Sequence, residues 1–177
     1  MENKKIQDEL FSALKSTNRD VKLSACVCFV SLLRSDKMLK SILMEAGDFH
    51  KEILTIFTTS DSDPELQLTS CKALCNLAID FSKLLTKETS FLVKLVDLAF
   101  CSHSGLKVAA CFTLKNLLFR SNPDIKEAVM SVLTYPKLLS LLDKGGNSSS
   151  SSDILMVQGD EELKEQVKQD EDPSIIR

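Results

Sequence analysis

Six cysteines and two histidines are the residues of this 177-residue chain whose types first invite chemistry. Thiolate and imidazole are the donors of zinc sites, and they supply the nucleophile and base of covalent catalysis. Their spacing supports neither role. Cys26 and Cys28 stand two residues apart, which on a helix aims them about 200° away from one another. Cys71 and Cys75 share a helical face, but the histidines, His50 and His103, form no pair near them. The expectation is of reduced thiols used as small hydrophobes, with no metal and no cofactor. His50 follows Phe49 and His103 lies in a serine turn; both are expected at the surface, in different parts of the fold. The serine run in KGGNSSSSSD lacks the glycine pattern of a phosphate loop, and the acidic run Asp160 to Glu162 lacks the alternating oxygen ligands of a calcium loop. No catalytic constellation emerges, and the chain is expected not to be an enzyme.

What remains is the chemistry of binding, and repetition carries it. The stretch PELQLTSCKALCNLAID, Pro64 to Asp80, is written again as SGLKVAACFTLKNLLFR, Ser104 to Arg120, and more faintly beforehand as RDVKLSACVCFVSLLRS, Arg19 to Ser35. Superposing Val21, Leu66 and Leu106 aligns Ala25, Ser70 and Ala110. It also aligns Cys26, Cys71 and Cys111, then Phe29, Leu74 and Leu114, then Leu32, Leu77 and Leu117. The starts are 45 and 40 residues apart, the period of a helical solenoid in which each repeat buries its apolar face against its neighbours.

The elements that must position these stretches follow from periodicity and capping. Ile6, Leu10, Phe11 and Leu14 make one stripe on a helix over residues 6–15, and Thr17 and Asn18 end it and cap the next. Over Asp20 to Leu33 the apolar positions cover more than half the circumference, which predicts a nearly enclosed helix. A short helix at Lys37 to Glu45 closes at Gly47, an outer helix spans Phe49 to Phe57, and Asp63 with Pro64 starts a long helix to Asp80. The cycle then repeats as a short helix at Ser82 to Glu88, an outer one from Phe91 to Phe100 and a long one to Arg120. Asn122 and Pro123 open a third round, with a short helix over 123–131 and an outer helix from Pro136 to Leu142. Short, medium and long helices at about forty residues per unit are the armadillo pattern. Residues 1–144 are expected to form the repeat domain. Residues 145–177 are expected to be a low-complexity loop, an incomplete last repeat interrupted by Pro173, and a flexible acidic tail.

Composition narrows the class. The chain is 44% apolar, carries a net charge of −3, and has nine Gly and Pro residues together and no tryptophan. No polybasic face is available for phosphate contacts, which argues against a nucleic-acid binder. Charges interrupt every apolar run, and Met1 is followed by Glu2, Asn3, Lys4 and Lys5, so neither a membrane span nor a secretory signal is expected. The expected location is cytoplasmic and nuclear.

At ILMEAGDFHKEILTIF, PELQLTSCKALCNLA and LKVAACFTLKNLLF the chain resembles armadillo repeats over residues 6–142. The resemblance implies an all-α, armadillo-type right-handed superhelical solenoid of about three repeats. More narrowly, VKLSACVCFVSLLRS, LCNLAIDFSKLLTKE and a unit ending NLLF resemble the C-terminal portion of the armadillo scaffold subunits of GID/CTLH E3 ubiquitin ligases. That resemblance implies a non-catalytic scaffold whose partners are ligase subunits: the tail of a substrate receptor in a concave groove and the ligase core elsewhere. In the family the groove positions are an asparagine and a tryptophan four residues before it. Here the asparagine positions are Asn76, Asn116 and Ser31, and the tryptophan positions hold Lys72, Phe112 and Val27. Asp80 and Arg120 extend the two ladders by one turn. An asparagine amide offers donor and acceptor together, suited to the backbone of an extended peptide, or alternatively to a bond within its own superhelix with no ligand. On the peptide reading, replacing Asn76 and Asn116 by Ala is expected to weaken partner capture.

Two rival classes fit the residues less well. A nuclear-import adaptor, one of the other armadillo uses alongside adhesion and signalling scaffolds, reads basic signals between stacked tryptophans. This chain has none and offers lysine and arginine instead. RNA-binding helical repeats need basic and aromatic residues at regular intervals on one face, which Phe112 alone does not supply. An interrupted last repeat and an uncapped first one give the further expectation that the chain is part of a longer array.

Overall fold

The computed structural model describes residues 2–35, 48–119 and 121–145. Every regular element among them is an α-helix: α1 (Glu2–Leu14), α2 (Arg19–Ser35), α3 (Phe49–Thr59), α4 (Pro64–Leu85), α5 (Thr89–Ala99), α6 (Ser104–Leu118), α7 (Pro123–Leu133) and α8 (Tyr135–Gly145). The expected helix at 37–45, its Gly47 stop and everything after 145 lie outside the described residues. None of the described helices is long and apolar enough to cross a membrane.

The chain divides into two compact units, Met1–Thr134 and Tyr135–Arg177. The division falls at Thr134, whose φ of 53° is an uncommon conformation for a β-branched residue. In the second unit only α8 is described. Tyr135 and Leu139 of α8 are exposed.

In the first unit the copied stretches become the three long helices α2, α4 and α6. They pack in succession, with α4 in the middle and its contact with α6 the most extensive of the fold. The medium helices run alongside: α1 lies on α2, α3 on α4 and α5 on α6, while α1, α3 and α5 also touch in sequence. Register decides burial. Ala25, Ser70 and Ala110 are buried, as are Phe29, Leu74 and Leu114, because small residues admit the neighbouring helix and the large ones fill the space beside it. Leu66 and Leu106 are buried, whereas their equivalent Val21 is 44% exposed and Val27 is 52% exposed. The nearly enclosed second helix expected from its apolar circumference is therefore only half covered. It packs mainly against α1 and α4, with Phe29 stacked on Phe49 of α3, and leaves Val21 and Val27 exposed.

Capping residues set where α2, α4 and α7 begin. The Asn18 side chain accepts from the backbone N–H groups of Asp20 and Val21 at 2.9 and 3.2 Å. Asp63 accepts from Leu66 N at 3.1 Å with Pro64 behind it, and Asn122 accepts from Ile125 N at 3.0 Å. These are donors that a helix N-terminus otherwise leaves unpaired.

Asp63 has a second task. Arg19, at the start of α2, forks onto it through Nε–Oδ2 at 2.7 Å and Nη2–Oδ1 at 3.1 Å, and reaches Glu65 Oε2 at 2.6 Å. The starts of successive long helices are thereby tied by a bidentate charged pair. Next to this tie, Lys94 of α5 donates to the Thr58 carbonyl oxygen at 2.9 Å and to the Asp61 carboxylate. Arg19, and then the Leu66 N–H, hold the Asp63 carboxyl below the usual carboxylate range; Lys94 does the same to Asp61 and Lys51 to Asp48. Carboxylates lowered in the folded state contribute stability that is present above their unfolded pKa of about 4 and lost as pH falls through the folded value. Thermal melts followed by circular dichroism should therefore be level from neutral pH to about 5 and decline below about 4. Asp63→Asn, which keeps the cap and removes the charge, should melt lower at neutral pH and lose part of that decline.

Candidate partner-binding groove

The long helices carry the predicted ladders. On α4, Lys72 and Asp80 are exposed and Asn76 between them is half-buried, as i, i+4 spacing on one face requires. The ladder ends immediately afterwards, because Phe81 leaves helical geometry (φ −124°, ψ 25°) and kinks α4. The break expected between Asp80 and Ser82 is therefore present at Phe81, and the short helix expected at Ser82 to Glu88 is the segment beyond the kink, ending earlier, at Leu85.

On α6, Phe112 and Asn116 are half-buried, and Lys115 Nζ lies 5.9 Å from the Phe112 ring centre. The helix starts at His103, whose Nδ1 accepts from Leu106 N at 3.2 Å. A histidine expected to be only a surface turn residue is therefore the N-cap of a groove helix. Gly105 follows in the first turn. A side-chain carbon there would stand in contact with Leu68 Cδ2 of α4, at 3.4 Å. On α2, Val27 and Ser31 are exposed, and Ser31 Oγ donates to the Val27 carbonyl oxygen at 3.1 Å. Arg120 lies outside the described residues.

Between the three helices runs an open groove of about 460 Å³. Of the predicted positions it brings together Lys72, Asn76 and Phe112, while Val27, Ser31, Asp80 and Asn116 stand outside its walls. The lining also includes residues the sequence reading did not name: Leu68 and Val108, one turn earlier on the same two ladders, and Val30, Arg34 and Cys75 beside them, with Ser104, Gly105 and Ala109. Arg34 had a legible signal. It lies three residues beyond Ser31, on the same helical face.

The asparagines make the second of the contacts open to them, within the superhelix itself. Asn116 Nδ2 donates to the Cys75 carbonyl oxygen at 3.0 Å and to Cys75 Sγ at 3.3 Å. Asn76 Nδ2 donates to the Val30 carbonyl oxygen at 3.4 Å. Val30 and Cys75 hold the same register position, one residue before Ser31 and Asn76, the donors' own equivalents in the preceding copies. One bond is therefore made twice, from each long helix to the main chain of the long helix before it.

The thiols are all free. Burial pushes Cys26 and Cys71 up to about 12, and Cys71 Sγ lies 3.8 Å from Thr113 Oγ1. Burial also raises Cys75 and Cys111, against thiolate chemistry at neutral pH. Cys28 is exposed and Cys101 half-buried, so the expectation of buried thiols holds fully for Cys26 and Cys71 alone. Among the described residues no three His, Cys, Asp or Glu side chains are grouped to hold a metal. His50, expected at the surface, is half-buried, with Nδ1 enclosed and unpartnered. That burial lowers its pKa.

No family model matches the chain, and no solved structure matches it. Among curated proteins the chain is similar to GID complex subunit 5 of Schizosaccharomyces pombe, with 29% identity over 134 residues. The match covers 75% of this chain and 17% of that protein, so the chain spans about one sixth of the length of the relative.

Proposed function

We propose that the chain is a non-catalytic scaffold of a GID/CTLH-type E3 ubiquitin ligase, built as armadillo-type repeats, whose groove between α2, α4 and α6 holds an extended segment of a partner subunit. The observation that carries this reading is the similarity over 134 residues to a GID complex subunit. The twice-made asparagine bond at equivalent positions supports the repeat architecture, since a solenoid reuses one interface from unit to unit. The finer resemblance is to the C-terminal part of armadillo repeat-containing protein eight. On it the receptor's tail occupies the groove, other surfaces dock on the ligase core, and the protein works in the cytoplasm and nucleus without nucleic acid or membrane. The nuclear-import alternative is disfavoured by Arg34 and Lys72 in the lining, which repel a basic signal.

The test is co-purification of ligase subunits from cells with the chain and with a Val108→Glu/Phe112→Ala variant. Both positions line the groove and neither is fully buried, so helicity should persist. Recovery of the receptor subunit should fall by about tenfold or more, since apolar anchors dominate such interfaces. Unchanged recovery would remove the groove as the binding site.

A further inference from the structure

We propose that the groove selects an acidic occupant: an extended segment of a protein partner in which carboxylate side chains flank an apolar one. The proposal rests on the groove-binding reading above and specifies the chemistry of what that groove takes. Three observations lead to it.

The first is charge. Arg34 and Lys72 are the only charged side chains among the described lining residues, both are exposed, and neither forms an ion pair with a described residue. The chain as a whole carries a net charge of −3, so this positive pair runs against the overall balance. Elsewhere the cations Arg19 and Lys94 are taken up by carboxylates of the chain itself. In a concave site, two such cations focus potential on whatever lies between them.

The second is the wall. Leu68 of α4 and Val108 and Phe112 of α6 line the groove and are each half-buried. They leave apolar surface where one side chain of an occupant gains by desolvation.

The third is the asparagines. In the armadillo resemblance these read a peptide's backbone whatever its side chains. Here Asn116 Nδ2 is engaged with Cys75, and Asn76 Nδ2 donates to Val30. With amide donors turned to the protein's own main chain, discrimination falls to the cations and the apolar wall, and an occupant must supply carboxylates beside an apolar residue.

The experiment is selection of a random-peptide phage library against the full chain and against Arg34→Glu/Lys72→Glu. Both substituted residues are exposed, and circular dichroism verifies that the variant is folded. The original chain should enrich Asp and Glu around an apolar residue, and the variant should enrich Lys and Arg instead. Selected peptides with Asp and Glu changed to Asn and Gln should bind about tenfold more weakly, as loss of charge-assisted pairing implies. Enrichment of neutral or basic peptides that bind the original chain and are lost on Val108→Glu/Phe112→Ala would overturn the acidic preference while leaving groove binding intact. Recovery of no groove-dependent peptide would overturn both. A labelled single-stranded RNA, titrated at low salt, is the competing probe. Binding tighter than that of the peptides and abolished by Arg34→Glu/Lys72→Glu would reassign the two cations to phosphate.

Discussion

Replacing Phe49 by alanine should lower the stability of the first unit by about 4 kcal/mol, a shift of more than 10 °C in the thermal midpoint. Phe49 opens α3, is 2% exposed, and lies between two other rings. Its centroid is 5.0 Å from that of Phe11 on α1 and 5.5 Å from that of Phe29 on α2, the latter stacked to within 6° of parallel. One side chain therefore joins three helices. Removing it forfeits the transfer energy of a buried ring, leaves a cavity that rigid helices close only in part, and breaks two aromatic pairs worth about 0.5–1.5 kcal/mol each. Phe49→Leu retains most of the volume and should cost well under half as much. Chemical denaturation followed by circular dichroism checks both values. Equal midpoints for the alanine variant and the original chain would mean that α1, α2 and α3 are not held together by this cluster.

The same cluster shows where sequence reading succeeds and where it stops. Phe11, Phe29 and Phe49 each sit on a legible apolar stripe, so the helices that carry them were placed within a few residues. Periodicity is a local property, and so are the caps at Asn18, Asp63 and Asn122. Which rings meet depends on how helices stack, and that information is spread over the chain. Arg19 is the sharpest case. Its fork onto Asp63 spans 44 residues, and nothing local separates it from any other exposed arginine. The break at Phe81 was legible: the repeat pattern ends the long helix at Asp80 and opens another at Ser82, and the single departure in φ and ψ falls between them. In the groove, copying the asparagine register found Lys72, Asn76 and Phe112, because these positions face one way by helical geometry. Val108 continues the Phe112 and Asn116 ladder one turn toward the helix start and Arg34 follows Ser31 by three residues, and both were missed because the ladders were read only at and beyond the copied asparagine and tryptophan positions. His103 as a cap escaped because serine, threonine, asparagine and aspartate dominate that position, and histidine carries little prior for it.

The asparagines admit a decisive experiment, since two roles for them predict opposite results. Read from the sequence, Asn76 and Asn116 grip a partner's backbone, and removing them should spare the fold. Read from the structure, each amide ties one long helix to the one before it. Aspartate is the better probe than alanine, because it matches asparagine in shape and nearly in helix propensity while replacing the donor with an anion. Asn116→Asp would set a carboxylate oxygen against the Cys75 carbonyl oxygen and Sγ, which now accept at 3.0 and 3.3 Å. Losing the bond and leaving a half-buried charge without its partner should cost about 2–3 kcal/mol at pH 7. Asn76→Asp should cost less, its bond being the longer at 3.4 Å. The sign of the pH dependence separates this from ordinary loss of packing. The introduced carboxyl has a folded pKa raised by its surroundings, so its penalty is full above that value and fades as pH falls toward the unfolded value near 4, where the protonated group donates again. The gap in melting temperature between Asn116→Asp and the original chain should therefore narrow on acidification, even as both decline with the loss of the Asp63 and Arg19 pairing. A gap that stayed constant with pH would assign the cost to packing. No gap at all, with partner capture abolished, would return the asparagines to the groove as the residues that hold the occupant's backbone.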